Sequence, residues 1–305
     1  MTDIEKIEEL SQKISAGLKE IFLSENFIKF LQSVALFHHY SLRNLLLIRM
    51  QLPTATRVAE YEEWKQLDRY VKRGEKGIAI VKPRVTTFRQ TEEENKTVIQ
   101  YALTRVYDIS QTEGKPVPET QKDLQADNEQ LFQIFQKRSP YKVSFLQTDG
   151  EEKCRCNYTT QTISIKLGLT DKETVQALIR GVCHAILYAE SGKELKQKKI
   201  ESECVALLIT HSLGFDISIY NLDFVAEWSK TAQLDELYQT LENIQRTANQ
   251  IMKSIQEEIE SFEKIPEKGD EKSQNLQSRL QAAAEKVNDL RNEKELNAVE
   301  KSLLK

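Results

Sequence analysis

The segment from Tyr40 to Arg105 combines two kinds of side chain that suit unpaired nucleic acid. Single strands are typically held by cations that follow the phosphates and by flat rings on which bases stack, at about 1–3 kcal/mol per base. The cations are Arg43, Arg57, Arg69, Lys72, Arg73, Lys76, Lys82 and Arg84, and the rings are Tyr40, Tyr61, Trp64, Tyr70, Phe88 and Tyr101. Gly74 and Gly77 would let the backbone approach a phosphate. The alternative is a solvated basic hairpin whose aromatic rings fill a small core.

Several runs in this segment closely resemble the N-terminal domain of ArdC-type antirestriction proteins. In order, they are HYSLRN (39–44), PTATRVA (53–59), Trp64, VKRGEKGIAI (71–80) and YDISQTEG (107–114). In that family the domain binds single-stranded DNA and is carried on mobile elements. The resemblance implies that Tyr40, Ser41, Arg43, Asn44, Trp64, Lys72, Lys76 and Lys82 lie on or beside the DNA path. The cations Arg57, Arg69 and Arg73 complete the predicted DNA-binding set.

A later stretch resembles the zincin-like domain of the same family, which is related to ImmA/IrrE metallopeptidases. The resemblance lies in LIRGVCHA (178–185), IESECVA (200–206), FD (215–216) and AEWS (226–229). A zinc peptidase helix carries His-Glu-x-x-His, whose two imidazoles bind the metal while the glutamate activates its water, and a third ligand follows. The resemblance places Arg180 at the first histidine and Gly181 at the glutamate, so that only His184 and Glu201 remain as ligands.

This departure predicts an inactive peptidase fold without catalytic residues or zinc. Two ligands without a general base cannot make the open three-ligand zinc site, and the charge of Arg180 would repel the dication. A structural metal held by Cys183, His184, Glu201 and Cys204 is the alternative, but adjacent side chains diverge by about 100° on a helix. We therefore expect no cofactor.

The remaining cysteines have no clear metal-binding pattern. The spacing of Cys154-x-Cys156 is too short for a zinc ribbon knuckle, and no second pair follows it. We predict that these two cysteines mark alternating positions on an exposed strand.

Length, charge and cysteine content limit the number of domains, the class of partner and the cellular compartment that we expect. The 305 residues suffice for about two domains, and 30% charged residues predict solvated helix in part of the chain. The formal net charge of -4 excludes a histone-like protein, yet Lys65 to Arg89 holds eight basic against two acidic residues. No window approaches a membrane span, the acidic N-terminus lacks a signal core, and four cysteines fit a reducing compartment. We expect a cytoplasmic protein without membrane contact.

The pattern of elements predicts an α+β protein. We expect an N-terminal single-stranded-DNA-binding domain over residues 1–120, a degenerate zincin-like domain with a small sheet over 121–230, and a helical tail over 231–305. The first domain should hold a helix over 3–33, a helix over 42–50 capped by Ser41, and a hairpin of strands 78–81, stopped by Pro83, and 101–109. Residues 110–127 are predicted as a linker. Strands over 141–146 and 162–166 and helices over about 171–189 and 195–213 should follow.

Two long polar helices, over about 231–262 and 273–304, are predicted for the tail. The first has an apolar stripe, which consists of Leu234, Leu237, Leu241, Ile244, Ala248, Ile251, Ile255 and Ile259. Such a stripe must be covered by the body of the protein, by the second helix, or by another chain in a homodimer or partner complex.

These observations favour a single-stranded-DNA-binding protein of a plasmid or other mobile element, with an antirestriction or conjugative-transfer role. The expected partners are single-stranded DNA and a host defence or conjugation protein. Two alternatives remain: an active zinc metallopeptidase with an unusual ligand set, and a non-catalytic protein-interaction factor that targets host defence.

Overall fold

The computed structural model describes residues 3–22, 24–89, 95–117, 126–189 and 194–263, with residues 276, 278, 280, 282 and 285. In chain order the elements are α1 (Asp3–Ile21), α2 (Ser24–Leu36), α3 (Leu42–Gln51), β1 (Val58–Glu60), α4 (Tyr61–Gln66), β2 (Arg69–Val71), β3 (Ile78–Arg89), β4 (Asn95–Asp108), a 3-10 helix (Ile109–Gln111), β5 (Thr112–Gly114), α5 (Asn128–Arg138), β6 (Lys142–Leu146), β7 (Cys154–Asn157), β8 (Thr162–Lys166), α6 (Asp171–Ala189), α7 (Leu195–Ser212), α8 (Asp223–Ser229) and α9 (Leu234–Glu263). The predicted α+β class is confirmed.

The chain forms two compact units. Unit 1 comprises residues 1–120 and 221–245, and unit 2 comprises residues 121–220 and 246–305. The long helix α9 therefore contributes its first part to unit 1 and the remainder to unit 2. Among the described residues, no helix has the length and apolar content needed to cross a membrane.

Unit 1 is built around a three-stranded antiparallel sheet in the order β1-β4-β3. The long hairpin pairs Ile78 with Val106 at one end and Arg89 with Asn95 at the other. The predicted stop at Pro83 is wrong, because β3 runs on to Arg89. As an edge strand, β3 tolerates proline, since an outward backbone position needs no N–H donor.

Two further predictions in unit 1 need correction. The helical segment predicted over 3–33 is divided into two helices, α1 and α2, and the second runs on to Leu36. The predicted linker begins with structured chain, because the 3-10 helix is followed by β5, which pairs with β2 from Arg69↔Gly114 to Val71↔Thr112. Gly114 has φ +135°, and a Cβ there would lie 2.3 Å from the carbonyl oxygen of Asp68. A glycine is therefore required where β5 approaches the chain before β2.

Helix α3 covers the outer edge of the sheet with two amide side chains. Ser41 caps this helix as predicted, accepting a hydrogen bond from the Asn44 backbone N–H. The Asn44 amide donates to the Val81 carbonyl at 2.8 Å and accepts from the Val81 N–H at 2.9 Å. Gln51 makes the same pair of bonds with Ala79, each at 2.9 Å. These amides take the place of a neighbouring strand along β3.

This arrangement predicts different costs for two chemically matched substitutions. Asn44→Ala should lower the free energy of unfolding by about 2–4 kcal/mol, because it leaves both backbone groups of the buried Val81 unpaired. Gln51→Ala should cost less than about 1 kcal/mol, because Gln51 is exposed and water can replace it. Urea unfolding followed by tryptophan fluorescence measures both values, since Trp64 and Trp228 both lie in unit 1. Equal losses would contradict this account of the edge.

Unit 2 has a small mixed sheet in the order β6-β8-β7. Strands β6 and β8 are parallel, and β7 pairs antiparallel with β8. Helix α6 packs against β7, β8, α5 and α7. It begins at a reciprocal cap in which the Thr170 N–H and hydroxyl donate to the Glu173 carboxylate, while the Glu173 N–H donates to the Thr170 hydroxyl.

The apolar stripe of α9 is largely buried within the single chain. Its residues Leu237, Leu241, Ile244, Ala248, Ile255 and Ile259 are at most 5% exposed. Another chain is therefore not needed to cover these positions. The second helix predicted for the tail, 273–304, lies almost entirely outside the described residues.

Candidate functional site

A cavity of about 730 Å³ opens in unit 1 between α3, β1, the middle of the hairpin and the first part of α9. It is lined by His39, Tyr40, Ser41, Arg43, Asn44, Val58, Glu63, Val81, Lys82, Pro83, Tyr101 and Tyr238. Five of these, Tyr40, Ser41, Arg43, Asn44 and Lys82, belong to the predicted DNA-binding set. The structure thus gathers residues from five stretches of the chain (39–44, 58–63, 81–83, 101 and 238) at one concave surface.

The aromatic side chains of the cavity differ in accessibility. Tyr101 is 60% exposed and lies opposite Pro83 in the hairpin register. Tyr40 is half-buried, and its hydroxyl donates to the Val58 carbonyl at 3.3 Å. Burial, together with the carboxylates of Glu63 and Glu60, raises the pKa of Tyr40 to about 12. Tyr40 therefore stays neutral at physiological pH, and Tyr101 presents the accessible ring face.

Charge at the cavity is positive but moderated. Arg43 is exposed and hydrogen-bonds Tyr238. Lys82 forms an ion pair with Glu60. His39 stacks at 4.4 Å on Tyr40, and burial and the neighbouring His38 lower its pKa. His39 is therefore neutral near pH 7. Arg43 and Lys82 are the cationic side chains that line the cavity.

Asn44 and Trp64 have structural roles in unit 1. The Asn44 amide is fully occupied by Val81 at the edge of β3. Trp64 is 0% exposed, and its indole N–H donates to the Tyr107 carbonyl at 2.8 Å. The guanidinium groups of Arg57 and Arg69 lie over this indole, at 6.0 and 5.9 Å from its ring. Trp64 therefore supports two arginines and is not accessible for stacking on a base.

Asp108 organises the other basic residues of the predicted set. Its carboxylate is 1% exposed and accepts from the N–H groups of Thr56 (2.7 Å) and Arg57 (2.9 Å). It also accepts from the N–H and hydroxyl of Ser110. These bonds place Arg57 beside the 3-10 helix. The lysine Nζ of Lys72 in turn donates to the Ser110 carbonyl at 2.8 Å.

The turn between β2 and β3 is tied to the same 3-10 helix. The Gln111 amide donates to the Glu75 carboxylate and to the Lys76 carbonyl, both at 2.9 Å. Lys72, Arg73 and Lys76 are exposed around this turn. Gly77 is buried, and a Cβ there would lie 2.9 Å from the Tyr107 ring. Gly77 is thus needed for packing, whereas Gly74 is exposed with φ +90°.

The predicted vestigial site in unit 2 is occupied by an ion-pair network. Arg180 and His184 lie one turn apart on α6 and converge on Glu203 of α7. The Arg180 guanidinium donates from Nη2 to Glu203 Oε1 at 2.5 Å and from Nε to both oxygens. His184 Nε2 lies 3.2 Å from Glu203 Oε1, without good hydrogen-bond alignment. The carboxylate that faces Arg180 and His184 is thus Glu203 and not Glu201, which was predicted as the remaining carboxylate ligand. Glu201 is fully buried and accepts a hydrogen bond from Gln197.

Two hydroxyl groups lie beside the other ring nitrogen of His184. His184 Nδ1 lies 3.2 Å from both the Tyr158 hydroxyl and the Ser202 hydroxyl. Ser202, His184 and Glu203 therefore lie next to one another in space, in the order of the serine, histidine and carboxylate of a hydrolase triad. However, Ser202 is 0% exposed, and its hydroxyl donates to the Lys199 carbonyl at 3.0 Å. No substrate can reach it.

The donor set of unit 2 does not fit a catalytic zinc ion. Arg180 places a guanidinium at the first ligand position. Gly181 leaves no room for a glutamate, since a Cβ there would lie 2.6 Å from Ile163 Cγ2 and 3.0 Å from Cys154 Sγ. Among the described residues, no cluster of three or more histidine, cysteine, aspartate or glutamate side chains is suited to a metal.

Comparison with protein families supplies the family relationship. Residues 4–138 match the model described as the N-terminal domain of anti-restriction factor ArdC. This match identifies residues 4–138 as an ArdC-type N-terminal domain. The matched residues include every residue that lines the cavity except Tyr238. They also include Asp108 and the residues that donate hydrogen bonds to its carboxylate.

Two further comparisons show more distant similarity. An uncharacterized protein of Bacillus anthracis is 21% identical over 320 residues, which cover 88% of this chain and 54% of that protein. The chain thus spans about half the length of this relative. Crystal structures of the antirestriction ArdC protein from the R388 plasmid are also similar, and the structural match covers 73% of this chain and 86% of the plasmid protein's chain. Their metal-free form has a TM-score of 0.48 at 17% identity, and their Mn(II)-bound form 0.47 at 16%.

The cavity of unit 1 includes residues that the predicted DNA-binding set omitted. Tyr101 was recognised as a ring of the basic segment, but its position opposite Pro83 depends on a strand that passes through the proline. Tyr238 comes from α9, far along the chain, and carries no local signal. Glu203 was missed because Glu201, two residues earlier, was the carboxylate that the family pattern suggested.

The ion pair between Arg180 and Glu203 predicts a pH-dependent stability. Burial would raise the pKa of Glu203, but His184 and Arg180 outweigh it and lower the pKa to about 2. Because the folded pKa is depressed, the stabilisation is present above the unfolded value of about 4.5 and is lost as pH falls through about 2. It amounts to about 3 kcal/mol at neutral pH.

Comparison of the wild-type chain with Glu203→Gln checks this stability. The difference between their free energies of unfolding should be largest near neutral pH and should shrink by about 3 kcal/mol on acidification towards pH 2. Urea unfolding followed by far-ultraviolet circular dichroism across that range measures it. A difference that stays constant with pH would contradict the ion-pair assignment.

Proposed function

We propose that unit 1 binds single-stranded DNA at the Tyr101 cavity, in the service of an antirestriction or conjugative-transfer role of a plasmid or other mobile element. The observation that carries the proposal is the exposed Tyr101 ring beside Arg43 and Lys82, within a domain of the ArdC-type family. An accessible ring next to two cations is the arrangement that single-strand binding proteins use. The protein would act in the cytoplasm.

The cavity favours unpaired bases for a physical reason. A base can stack on Tyr101 only if its own face is open, and in a duplex that face is covered by the neighbouring base pairs. The volume of about 730 Å³ is within the range of ligand sites. The carboxylates of Glu60 and Glu63 offset part of the positive charge. Binding should therefore depend on stacking as well as on phosphate contacts.

The exposed cations around the β2–β3 turn would extend the phosphate path. Lys72, Arg73 and Lys76 are exposed. The Lys72 N–H donates to the Gln111 carbonyl and the Gln111 side-chain amide donates to the Lys76 carbonyl, so that Gln111 holds the backbone of the turn in place. Cations fixed on a rigid turn lose little conformational freedom on binding. Arg69 donates to the Thr112 carbonyl and hydroxyl, and the Lys72 amine donates to the Ser110 carbonyl, so that the contribution of both side chains would be mainly their charge.

A titration of a labelled oligonucleotide tests the proposal. Fluorescence anisotropy should show binding of the single strand that is stronger than binding of the matched duplex and that weakens steeply with salt. The charge reversals Lys72→Glu and Lys76→Glu together should weaken binding of all sequences alike and reduce the salt slope by about 2. An unchanged slope would show that the phosphates follow another route.

For unit 2, the proposal is a non-catalytic peptidase-like fold. The supporting observations are the guanidinium of Arg180 at the first ligand position and the lack of room for a side chain at Gly181, where a Cβ would lie 2.6 Å from Ile163 Cγ2. Metal analysis of the purified full chain tests it. Substoichiometric zinc and manganese, unchanged by His184→Ala, are expected. Stoichiometric metal that is lost in His184→Ala would revive the metallopeptidase alternative.

A further inference from the structure

Cys154 and Cys156 form a dithiol in unit 2 that lies outside the ion-pair network just described. The two residues are two positions apart on β7, so that both side chains point to the same face of the sheet. Cys154 Sγ would lie 3.0 Å from a Cβ at Gly181, and the Cys156 thiol donates to the Gly181 carbonyl at 3.4 Å. Both sulfurs thus lie against one residue of α6.

The four cysteines of the chain differ in their access to solvent. Cys183 and Cys204 are 0% exposed, and Cys154 is 7% exposed. Cys156 is half-buried and is the most accessible of the four thiols. A small oxidant would therefore reach Cys156 first, with Cys154 buried on the same face of β7 beside Gly181.

We propose that Cys156 and Cys154 form a peroxide-reactive dithiol, in which Cys156 is oxidised and Cys154 resolves it to a disulfide. In the first step the Cys156 thiolate attacks a hydroperoxide. An S–O bond forms, the O–O bond breaks, and the leaving alkoxide or hydroxide takes a proton from water. In the second step the Cys154 sulfur attacks the sulfenic acid. The S–S bond forms, and the hydroxyl leaves as water with the Cys154 proton.

The electrostatic environment agrees with this division of roles. The hydrogen bond from Cys154 lowers the pKa of Cys156, burial opposes this, and the nearby Arg180 guanidinium adds to the lowering. The same hydrogen bond and burial raise the pKa of Cys154. The more accessible sulfur is therefore the better thiolate, whereas the buried one is the thiol that follows.

The strand geometry makes the resulting disulfide reducible. Two residues of an extended strand span about 6.6–6.8 Å between Cα atoms, which is the upper end of the range that a disulfide bridges. Its formation must shorten β7 locally, against the pairing of Cys154 with Ile165 and of Cys156 with Ile163. A strained bond of this kind is readily reduced by cellular thiols. Oxidation would also disturb the packing of β7 on Gly181.

Mass spectrometry of the intact, full-length chain tests the proposal. The reduced protein is treated with hydrogen peroxide, free thiols are alkylated, and the chain is digested with trypsin. Cleavage after Arg155 leaves Cys154 and Cys156 on separate peptides, and a disulfide joins these two peptides until it is reduced. We expect this reducible joined product, with oxidation of Cys156 at least about tenfold faster than that of Cys183 or Cys204.

Single substitutions separate the two roles. In Cys154→Ser, and equally in Cys154→Ala, the sulfenic acid at Cys156 should persist and be trapped by dimedone. In Cys156→Ser no disulfide and no rapid oxidation should occur, and Cys204→Ser should behave as the wild-type chain. If Cys154 and Cys156 are both alkylated as free thiols after peroxide treatment, or if Cys156 is overoxidised without any joined product, the proposal is overturned.

Discussion

Tyr101→Ala is expected to weaken the binding of a single-stranded oligonucleotide by about 5- to 150-fold, which corresponds to the loss of about 1–3 kcal/mol of stacking on one base. The substitution should be nearly neutral for folding, because the ring is 60% exposed. Tyr101→Phe should retain most of the affinity, since it keeps the ring. Anisotropy titrations of the three proteins at one salt concentration measure the effect.

Tyr61 provides a matched control. It is also an exposed tyrosine of unit 1, at 48%, but it does not line the cavity. Tyr61→Ala should therefore keep the wild-type affinity within about twofold. If Tyr61→Ala lost as much affinity as Tyr101→Ala, or if Tyr101→Ala lost none, bases would not be bound at the cavity. Such results would leave single-strand binding as such intact and would relocate the contact.

Asp108→Ala is expected to lower the free energy of unfolding of unit 1 by about 3–5 kcal/mol. The carboxylate is 1% exposed and accepts four hydrogen bonds, two of them from the backbone of Thr56 and Arg57. Its removal leaves several donors without a partner, each at a cost of about 1–3 kcal/mol. Urea unfolding with tryptophan fluorescence measures this loss.

Asp108→Asn is the companion substitution. It retains one acceptor oxygen for the Thr56 and Arg57 N–H groups, but its amide nitrogen cannot accept from Ser110. It should therefore lose about half as much stability as Asp108→Ala. A loss below about 1 kcal/mol in Asp108→Ala would show that the carboxylate does not organise this region.

The hairpin illustrates how much of the fold the sequence predicts. The apolar run over 78–81 located the strand that begins at Ile78, and Ile78, Ile80 and Val81 are buried. It could not predict that the strand continues past Pro83, since a proline is excluded from a central strand but tolerated at an edge. Which strand is at the edge depends on the sheet order, which is a tertiary property. Strand β5 was missed for the same reason, as its three residues are paired only through β2.

The candidate sites show a similar limit. Motif resemblance located Arg43, Lys82 and Tyr40, and the structure places all three at one cavity. It could not separate residues that contact a ligand from those that hold the scaffold, and Trp64 and Asn44 belong to the second class. Burial and hydrogen bonding to distant backbone make that distinction.

The angular position of each side chain around helix α7 explains why Glu203, and not the predicted Glu201, faces Arg180 and His184. Glu201 and Glu203 are two residues apart on α7, so their side chains point about 200° apart. Only one of them can face Arg180 and His184. The flanking residues on both sides of α7 are buried, so amphipathic periodicity gives no reason to choose Glu203. The packing of α6 on α7 decides it.

The most direct test is a titration of one labelled oligonucleotide, single-stranded and as its duplex, across a range of salt concentrations. The account predicts that the wild-type chain prefers the single strand at every salt concentration, that affinity falls linearly on a logarithmic scale with salt, and that Tyr101→Ala removes most of the preference. Equal affinity for single strand and duplex, or no binding at low salt, would contradict it.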